Sequence, residues 1–232
     1  MSLLPWFHDF VGLFYPHLCM SCQDHLPPGE DYLCLRCQYK LPQTDYHLLR
    51  ENPFTERFWG RIPIEAGAAL YHYTKGGAVQ QLIHALKYNH QPEIGRQLGR
   101  LYGRQLRDTR AFADLDLIVA VPLHPRKAHQ RGYNQAACFA QGLADSLELP
   151  WREDVLQRRE YTATQTKKSR IDRLANVLDA FILARPALAR DRHILLVDDV
   201  LTTGATLEAC AIRLREAPGC RVSLLTIAIA NE

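Results

Sequence analysis

At 232 residues the chain is long enough for one medium domain and a small module. Its 47% hydrophobic and 23% charged content is ordinary for a globular protein, and a net charge of +3 is too small to argue for nucleic-acid binding by itself. No apolar run reaches the length of a membrane span, so no membrane insertion is expected.

The chain opens on an apolar stretch, residues 1–18, in which Leu3, Trp6, Phe7, Phe10 and Phe14 share one helical face. It lacks a basic leader and contains Asp9 and two prolines, which makes it a poor secretion signal. The face is expected to dock on the domain; a membrane-surface helix is the alternative, although its polar side has no Lys or Arg. Two C-x-x-C knuckles follow, Cys19–Met20–Ser21–Cys22 and Cys34–Leu35–Arg36–Cys37, separated by eleven residues. One knuckle presents two thiolates to one ion, and two complete a tetrahedral zinc site with no place for water, hence a structural metal. Two disulfides or an iron–sulfur cluster are the other readings, and His17 or His25 could replace a thiolate. Cys138, Cys210 and Cys220 sit in apolar surroundings and read as inert buried thiols. That usage suits a reducing compartment and a cytoplasmic protein.

Residues 41–61 make a polar connector, with Pro42, Pro53 and Pro63 in or beside it. The expected division falls there: 1–57 for the N-terminal helix and four-cysteine module, 58–232 for an α/β domain. Alternation from Ile62 to Leu70 predicts a strand running into Tyr71–His72–Tyr73. After Gly76–Gly77, Val79, Leu82, Ile83 and Leu86 lie on one helix face, and Lys87 beyond them reads as solvated. Ile94 to Leu106 makes a second helix whose other side carries Arg96, Arg100, Arg104 and Arg107. Such a face is solvent-facing or touches a phosphate backbone. Leu115 to Val121 is a buried strand closed by Pro122. The following loop, Leu123 to Gln135, contains Arg126, Lys127, Arg131, His124 and His129 with no acid. A helix over 136–147 comes next. Residues 151–182 crowd polar groups, Arg158 and Arg159 among them, into an irregular stretch. This predicts a mobile flap, then a short helix near 171–178 and a brief strand at Phe181–Leu183. Val222 to Ala230 is the last core strand.

One stretch organises the rest. Ile194 to Val197 is a short apolar run suited to a strand buried on both faces. Asp198 and Asp199 follow, then Thr202–Thr203–Gly204–Ala205–Thr206, then a helical pattern at Leu207, Ala211 and Leu214. A strand that ends in a polar loop opening a helix traps anions, because free N–H groups and the helix dipole converge there. The threonines add hydroxyl donors, and Gly204 allows close approach or positive φ. The paired acids can accept hydrogen bonds from a vicinal diol. Phosphate beside diol outlines a ribose 5-phosphate. The plain alternative is a βα turn whose Thr and Asp cap the helix.

Val197 to Thr206 resembles the phosphoribosyl pyrophosphate (PRPP) signature of the type I phosphoribosyltransferases. The resemblance implies that Asp198 and Asp199 hold the ribose hydroxyls and that the loop Thr202, Thr203, Gly204, Ala205, Thr206 wraps the 5′-phosphate. Over nearly its full length the sequence is similar to the ComF/GntX family, through the four cysteines, Leu86–Lys87–Tyr88, Val121–Pro122–Leu123–His124–Pro125, Arg131–Gly132–Tyr133–Asn134–Gln135, Thr164–Gln165–Thr166 with Arg173 and Asn176, and Val197 to Thr206. The family implies a zinc finger joined to a type I phosphoribosyltransferase-like parallel sheet flanked by helices, and a link to natural competence and DNA uptake. The resulting expectation is an enzyme of the phosphoribosyltransferase class, with Mg²⁺·PRPP or ribose 5-phosphate as ligand and an unassigned acceptor. Asp198, Asp199 and Arg131 are its candidate catalytic residues. Pro122, His124, Arg126 and Arg158 flank the pyrophosphate. The alternative is a non-enzymatic competence factor that binds single-stranded DNA or a competence-machinery protein, with Tyr133 and Tyr161 as possible stacking residues.

Overall fold

The computed structural model describes residues 18–30, 32–159 and 177–230. The expected N-terminal helix face, His17, Tyr161, and the Thr164–Asn176 part of the flap with Arg170 and Arg173 lie outside them.

The described elements run α1 (Leu35–Lys40), α2 (Pro53–Glu56), β1 (Gly67–Tyr73), α3 (Ala78–Tyr88), α4 (Pro92–Leu106), β2 (Leu117–Ala120), α5 (Pro125–Arg131), α6 (Gln135–Leu147), β3 (Trp151–Arg152), β4 (Leu156–Arg158), β5 (Phe181–Leu183), β6 (His193–Leu201), α7 (Ala205–Leu214) and β7 (Arg221–Ala230). Five strands form a parallel sheet in the order β1-β7-β6-β2-β3. Parallel neighbours need crossovers, so α5 and α6 link β2 to β3 and α7 links β6 to β7. Ile194–Val197 and Leu117–Ala120 are buried on both faces, as their unbroken apolar runs require. One face packs Leu82, Leu98, Phe139 and Leu143; the other packs Phe54, Phe58, Leu207 and Leu214.

Three expectations need correction. β1 begins at Gly67, not at Ile62, because the Ile62 N–H turns back to the Phe58 carbonyl and Pro63 has no N–H, so that only Glu65 and Ala66, bonded to Val222 and Leu224, lead into the strand. β6 continues through the acids to Leu201, its register with β7 running on from Asp198↔Thr226 to Leu201↔Ile229. Asp198 and Asp199 are therefore strand residues rather than loop residues. The basic loop contains a helix, α5, that local composition concealed. Pro125 suits its first turn, the His124 ring accepts from the Arg126 N–H at 3.2 Å, and Gly132 ends it at φ 78°.

Three of the four arginines expected on this side of α4, Arg96, Arg100 and Arg107, are held by the protein, while Arg104 is exposed. α4 and α6 pack main chain to main chain: a Cβ on Gly99 would lie 2.4 Å from the Phe139 carbonyl, and one on Gly142 would lie 1.9 Å from the Arg96 carbonyl. At that spacing Arg96 reaches Gln141 at 2.7 Å and Glu93 at 2.8 Å, and Arg100 reaches Asp145 at 2.9 Å. Arg107 donates to the Ser146 carbonyl.

The polar connector is docked along its length. Thr44 and His72 exchange main-chain bonds with Leu70 and Pro42. Asn52 caps α2 and donates through Nδ2 to the carbonyls of Tyr46, Leu49 and Gly67 at 3.0–3.1 Å. Phe54 and Phe58 are fully buried.

At the amino edge of the sheet, His193 bridges Asp114 (2.9 Å) and Ser223 Oγ (2.8 Å), while its N–H donates to Asp116 at 2.7 Å. Arg221 completes this group on Asp114 at 2.8 Å. Among the described residues no helix is long and apolar enough to cross a membrane.

Candidate sugar-phosphate site

In an open parallel sheet, ligands collect beyond the carboxyl ends of the strands. Here the carboxyl ends of β6 and β2 are adjacent, tied by the Val121 N–H to the Val197 carbonyl at 2.9 Å. The acid pair and the Pro122–Arg131 segment thus share one rim, as the sequence implies.

The turn after β6 leaves the start of a helix open. Gly204 takes φ +80° and serves as the N-cap of α7, yet it has no side chain, and no side-chain cap closes that helix end. Of the turn's threonines, Thr203 places its Oγ1 3.5 Å from the Ala205 N–H. Beyond that long contact no side chain caps the helix start, and the first amides of a ten-residue helix keep the capacity to bind an anion. Asp198 and Val200–Leu207 line a cavity of about 40 Å³.

Asp198 turns inward and accepts the Asp199 N–H at 2.8 Å. Burial, and then the Asp199 carboxylate, push Asp198 up to about 7; Lys87 and Arg158 pull the other way. Lys87 corrects the sequence reading. It is not solvated: its Nζ lies 2.8 Å from Asp199 Oδ2, both side chains being largely covered. The only trace of this in the sequence is the Leu86–Lys87–Tyr88 motif, whose role local pattern does not reveal.

The C-terminal turn of α3 is itself gripped by the basic segment. Tyr133 Oη donates to the Leu86 carbonyl at 2.5 Å, and the Arg131 guanidinium sits 5.3 Å from the Tyr88 ring centre. Tyr133 is therefore a packing residue rather than a free stacking platform. Arg131 also donates to Gln135 at 2.7 Å. Pro122 is buried, His124 half-buried as the α5 cap, and Arg126 exposed. Asn134 braces the segment through Nδ2 to the Val121 carbonyl at 3.0 Å. Arg158 lies at the end of β4, 5.2 Å from the Phe181 ring centre, close enough to influence Asp198. β4 and β5 form an antiparallel pair, so the two ends of the expected flap are stitched together. A second cavity, about 360 Å³, opens beside this rim between Tyr73, Ile83, His84, Lys87, Tyr88 and Val200.

The four knuckle cysteines converge. Their Sγ atoms all lie within 4.8 Å of one another, and Cys22 and Cys34 are 3.8 Å apart. A tetrahedron with Zn–S bonds of about 2.3 Å has edges of about 3.8 Å, whereas a disulfide would bring sulfurs to about 2.05 Å. All seven cysteines are free. The N–H groups of Cys34 and Cys37 point at Cys19 and Cys34 Sγ, each at 3.4 Å. Burial opposes ionisation of Cys19, but main-chain donors bring its thiol down to about 7. The donor set fits a metal ion.

Residues 134–232 match the family model described as phosphoribosyl transferase domain. DNA utilization protein YhgH of Escherichia coli is 38% identical over 133 residues, 56% of this chain and 58% of that one. Competence protein F of Haemophilus influenzae is 37% identical over 142 residues, 58% and 61% of the two chains. Competence protein ComFC of Streptococcus pneumoniae is 35% identical over 99 residues, 43% and 41% of the two chains. This chain thus spans about three-fifths the length of the first two relatives. Of solved structures, the allosteric regulatory enzyme of purine biosynthesis aligns with 62% of this chain and 30% of its own at 18% identity and a TM-score of 0.43. The domain match over 134–232, the two-sided parallel sheet, the cysteine cluster and the competence-protein relatives together support the ComF family.

Proposed function

We propose that this protein binds Mg²⁺·PRPP at the rim and transfers its ribose 5-phosphate to an acceptor with release of pyrophosphate. The uncapped, glycine-led start of α7 beside a carboxylate pair is the observation that carries this reading. The amides and hydroxyls of Thr202–Thr206 hold the 5′-phosphate, while Asp198 and Asp199 accept hydrogen bonds from the ribose hydroxyls. Arg131, Arg126 and Arg158, with Pro122 and His124 shaping the wall, face the pyrophosphate as its charge grows. Magnesium bound with PRPP would supply further charge neutralisation for the departing pyrophosphate. Lys87 screens the acids from each other before the ligand arrives. The four cysteines hold a structural zinc, which organises a module with few apolar anchors of its own.

A melting curve with and without Mg²⁺·PRPP tests the site, since a ligand that binds only the native state raises the midpoint. A rise is expected in the unaltered protein and not in Asp198→Ala plus Asp199→Ala. An equal rise in both would defeat the assignment. Protein purified without chelator should contain about one zinc per chain.

A second reading has the protein act on single-stranded DNA within uptake, in keeping with the names of its relatives. It is favoured by Arg126, Lys127 and His129, exposed together on α5. Affinity for single strands should then fall steeply with salt.

A further inference from the structure

Between the cysteine module and the sheet, residues 52–62 pass beneath the phosphate-binding turn. α2 fixes this strap, with Asn52 anchored to Gly67 at the start of β1. Two guanidinium groups rise from it. Arg57 donates to the carbonyls of Thr202 and, at 2.5 Å, Ala230. Arg61 donates to the Thr203 carbonyl at 3.1 Å and to its own strap at Arg57 O, 2.9 Å. Its other nitrogens pair with Glu208, a buried carboxylate in the first turn of α7. Between the two arginines the Phe58 ring supports Gly204 from below, 3.1 Å from where a Cβ would stand.

In a trans peptide the C=O and the following N–H point in opposite directions, and the described chain has no cis peptide. A guanidinium holding the Thr202 carbonyl therefore aims the Thr203 N–H away from the strap. One holding the Thr203 carbonyl does the same for Gly204. We infer that Arg57 and Arg61 are positioning residues, a two-pronged clamp from the connector that presets the amides of the 5′-phosphate turn. Neither was singled out by the PRPP motif or by the flanking basic segment, because both belong to a segment about 140 residues upstream of the turn. Arg57 has no carboxylate partner among the described residues, so its charge also lies uncompensated behind the turn. The clamp makes the connector part of the binding apparatus. It offers a mechanical route by which the state of the cysteine module reaches the sugar-phosphate site.

This role rests on the sugar-phosphate reading, but its test does not depend on it entirely. Backbone amide order parameters are measured by NMR relaxation on the ligand-free protein and on Arg57→Ala, Arg57→Lys and Arg61→Ala plus Glu208→Gln, with the Leu195 and Leu196 amides of β6 as internal reference. In the alanine variants the order parameters of 203–206 should fall from about 0.85 to below about 0.6, with the reference amides unchanged. Arg57→Lys should resemble Arg57→Ala, because its single nitrogen cannot span the two carbonyls that separate guanidinium nitrogens hold. Order unchanged in the turn, a loss spread evenly over the sheet, or full recovery by lysine would each overturn the clamp. Calorimetry with ribose 5-phosphate and with pyrophosphate adds the functional arm. Ribose 5-phosphate binding should weaken about tenfold in Arg57→Ala, and pyrophosphate binding by less than twofold. Absence of ribose 5-phosphate binding in the unaltered protein would sink the sugar-phosphate reading, while the relaxation data would still decide whether the strap orders the turn.

Discussion

The two edges of the sheet carry similar polar residues and treat them in opposite ways. At the amino edge Asp114, Asp116, His193, Arg221 and Ser223 form a closed set in which every group meets a partner of suitable charge or hydrogen-bonding sense. The order Asp–His–Ser imitates a hydrolase relay, yet Ser223 and His193 are fully buried and no substrate can reach them. At the carboxyl edge two acids stand side by side and a helix begins without a side-chain cap. Polar residues that satisfy one another hold the fold together; an open helix start beside two crowded acids is the pattern on which the proposed ligand site rests.

The largest test of this contrast is His193→Ala. It leaves Ser223 without its buried partner and opens a void, so stability should fall by about 4 kcal/mol in denaturant titration. Ribose 5-phosphate affinity should be unchanged below the transition. Equal loss of both would mean that the edges are not separable. Asp198→Asn should have the reverse profile, with ligand affinity lost and the free protein more stable at pH 8 by about 2–3 kcal/mol. The sign follows from Asp198 being raised to about 7, above about 3.9 for an unfolded carboxylate. The native state keeps a proton that the unfolded chain releases, so this stabilisation is full below about pH 4 and is lost as pH rises through 7. Melting midpoints of the unaltered protein should therefore decline from pH 5 to pH 8, and the decline should flatten in the variant.

Smaller effects sharpen the picture. Gly204→Ala forces a side chain into the left-handed region against Phe58 and should cost about 1–2 kcal/mol, with ribose 5-phosphate binding reduced further than stability alone explains. Lys87→Ala removes a partly covered ion pair and should cost about 1 kcal/mol at pH 8 and less at pH 5, where Asp198 holds its proton. A cost independent of pH would argue that Lys87 serves packing instead.

Much of this was legible from local pattern. The run Ile194–Val197 announced a buried strand and the paired knuckles a convergence of four sulfurs able to hold a metal, while the polar turn reads as an anion trap, which is the proposal the ligand experiments address. Helical spacing located α3, α4 and α6 to within a residue or two. The failures share a cause. Lys87 looks solvated because its partner, Asp199, lies far along the chain, and α5 looks like a loop because a histidine caps it. The connector reads as polar, although Phe54 and Phe58, four positions apart, anchor it in the second core cluster. Pairwise geometry across the sheet decides such residues, and neighbours in sequence do not record it.

The meeting of Gly99 with Gly142 has a consequence beyond packing. Two helices whose backbones touch behave as a single plate, with no side-chain layer between them to yield. Asn134 leads into that plate and braces the carbonyl preceding Pro122, so widening the seam would tilt the Pro122–Arg131 wall of the rim. Even a methyl group there, far from any reacting atom, should be felt as a change in the shape of the ligand's berth.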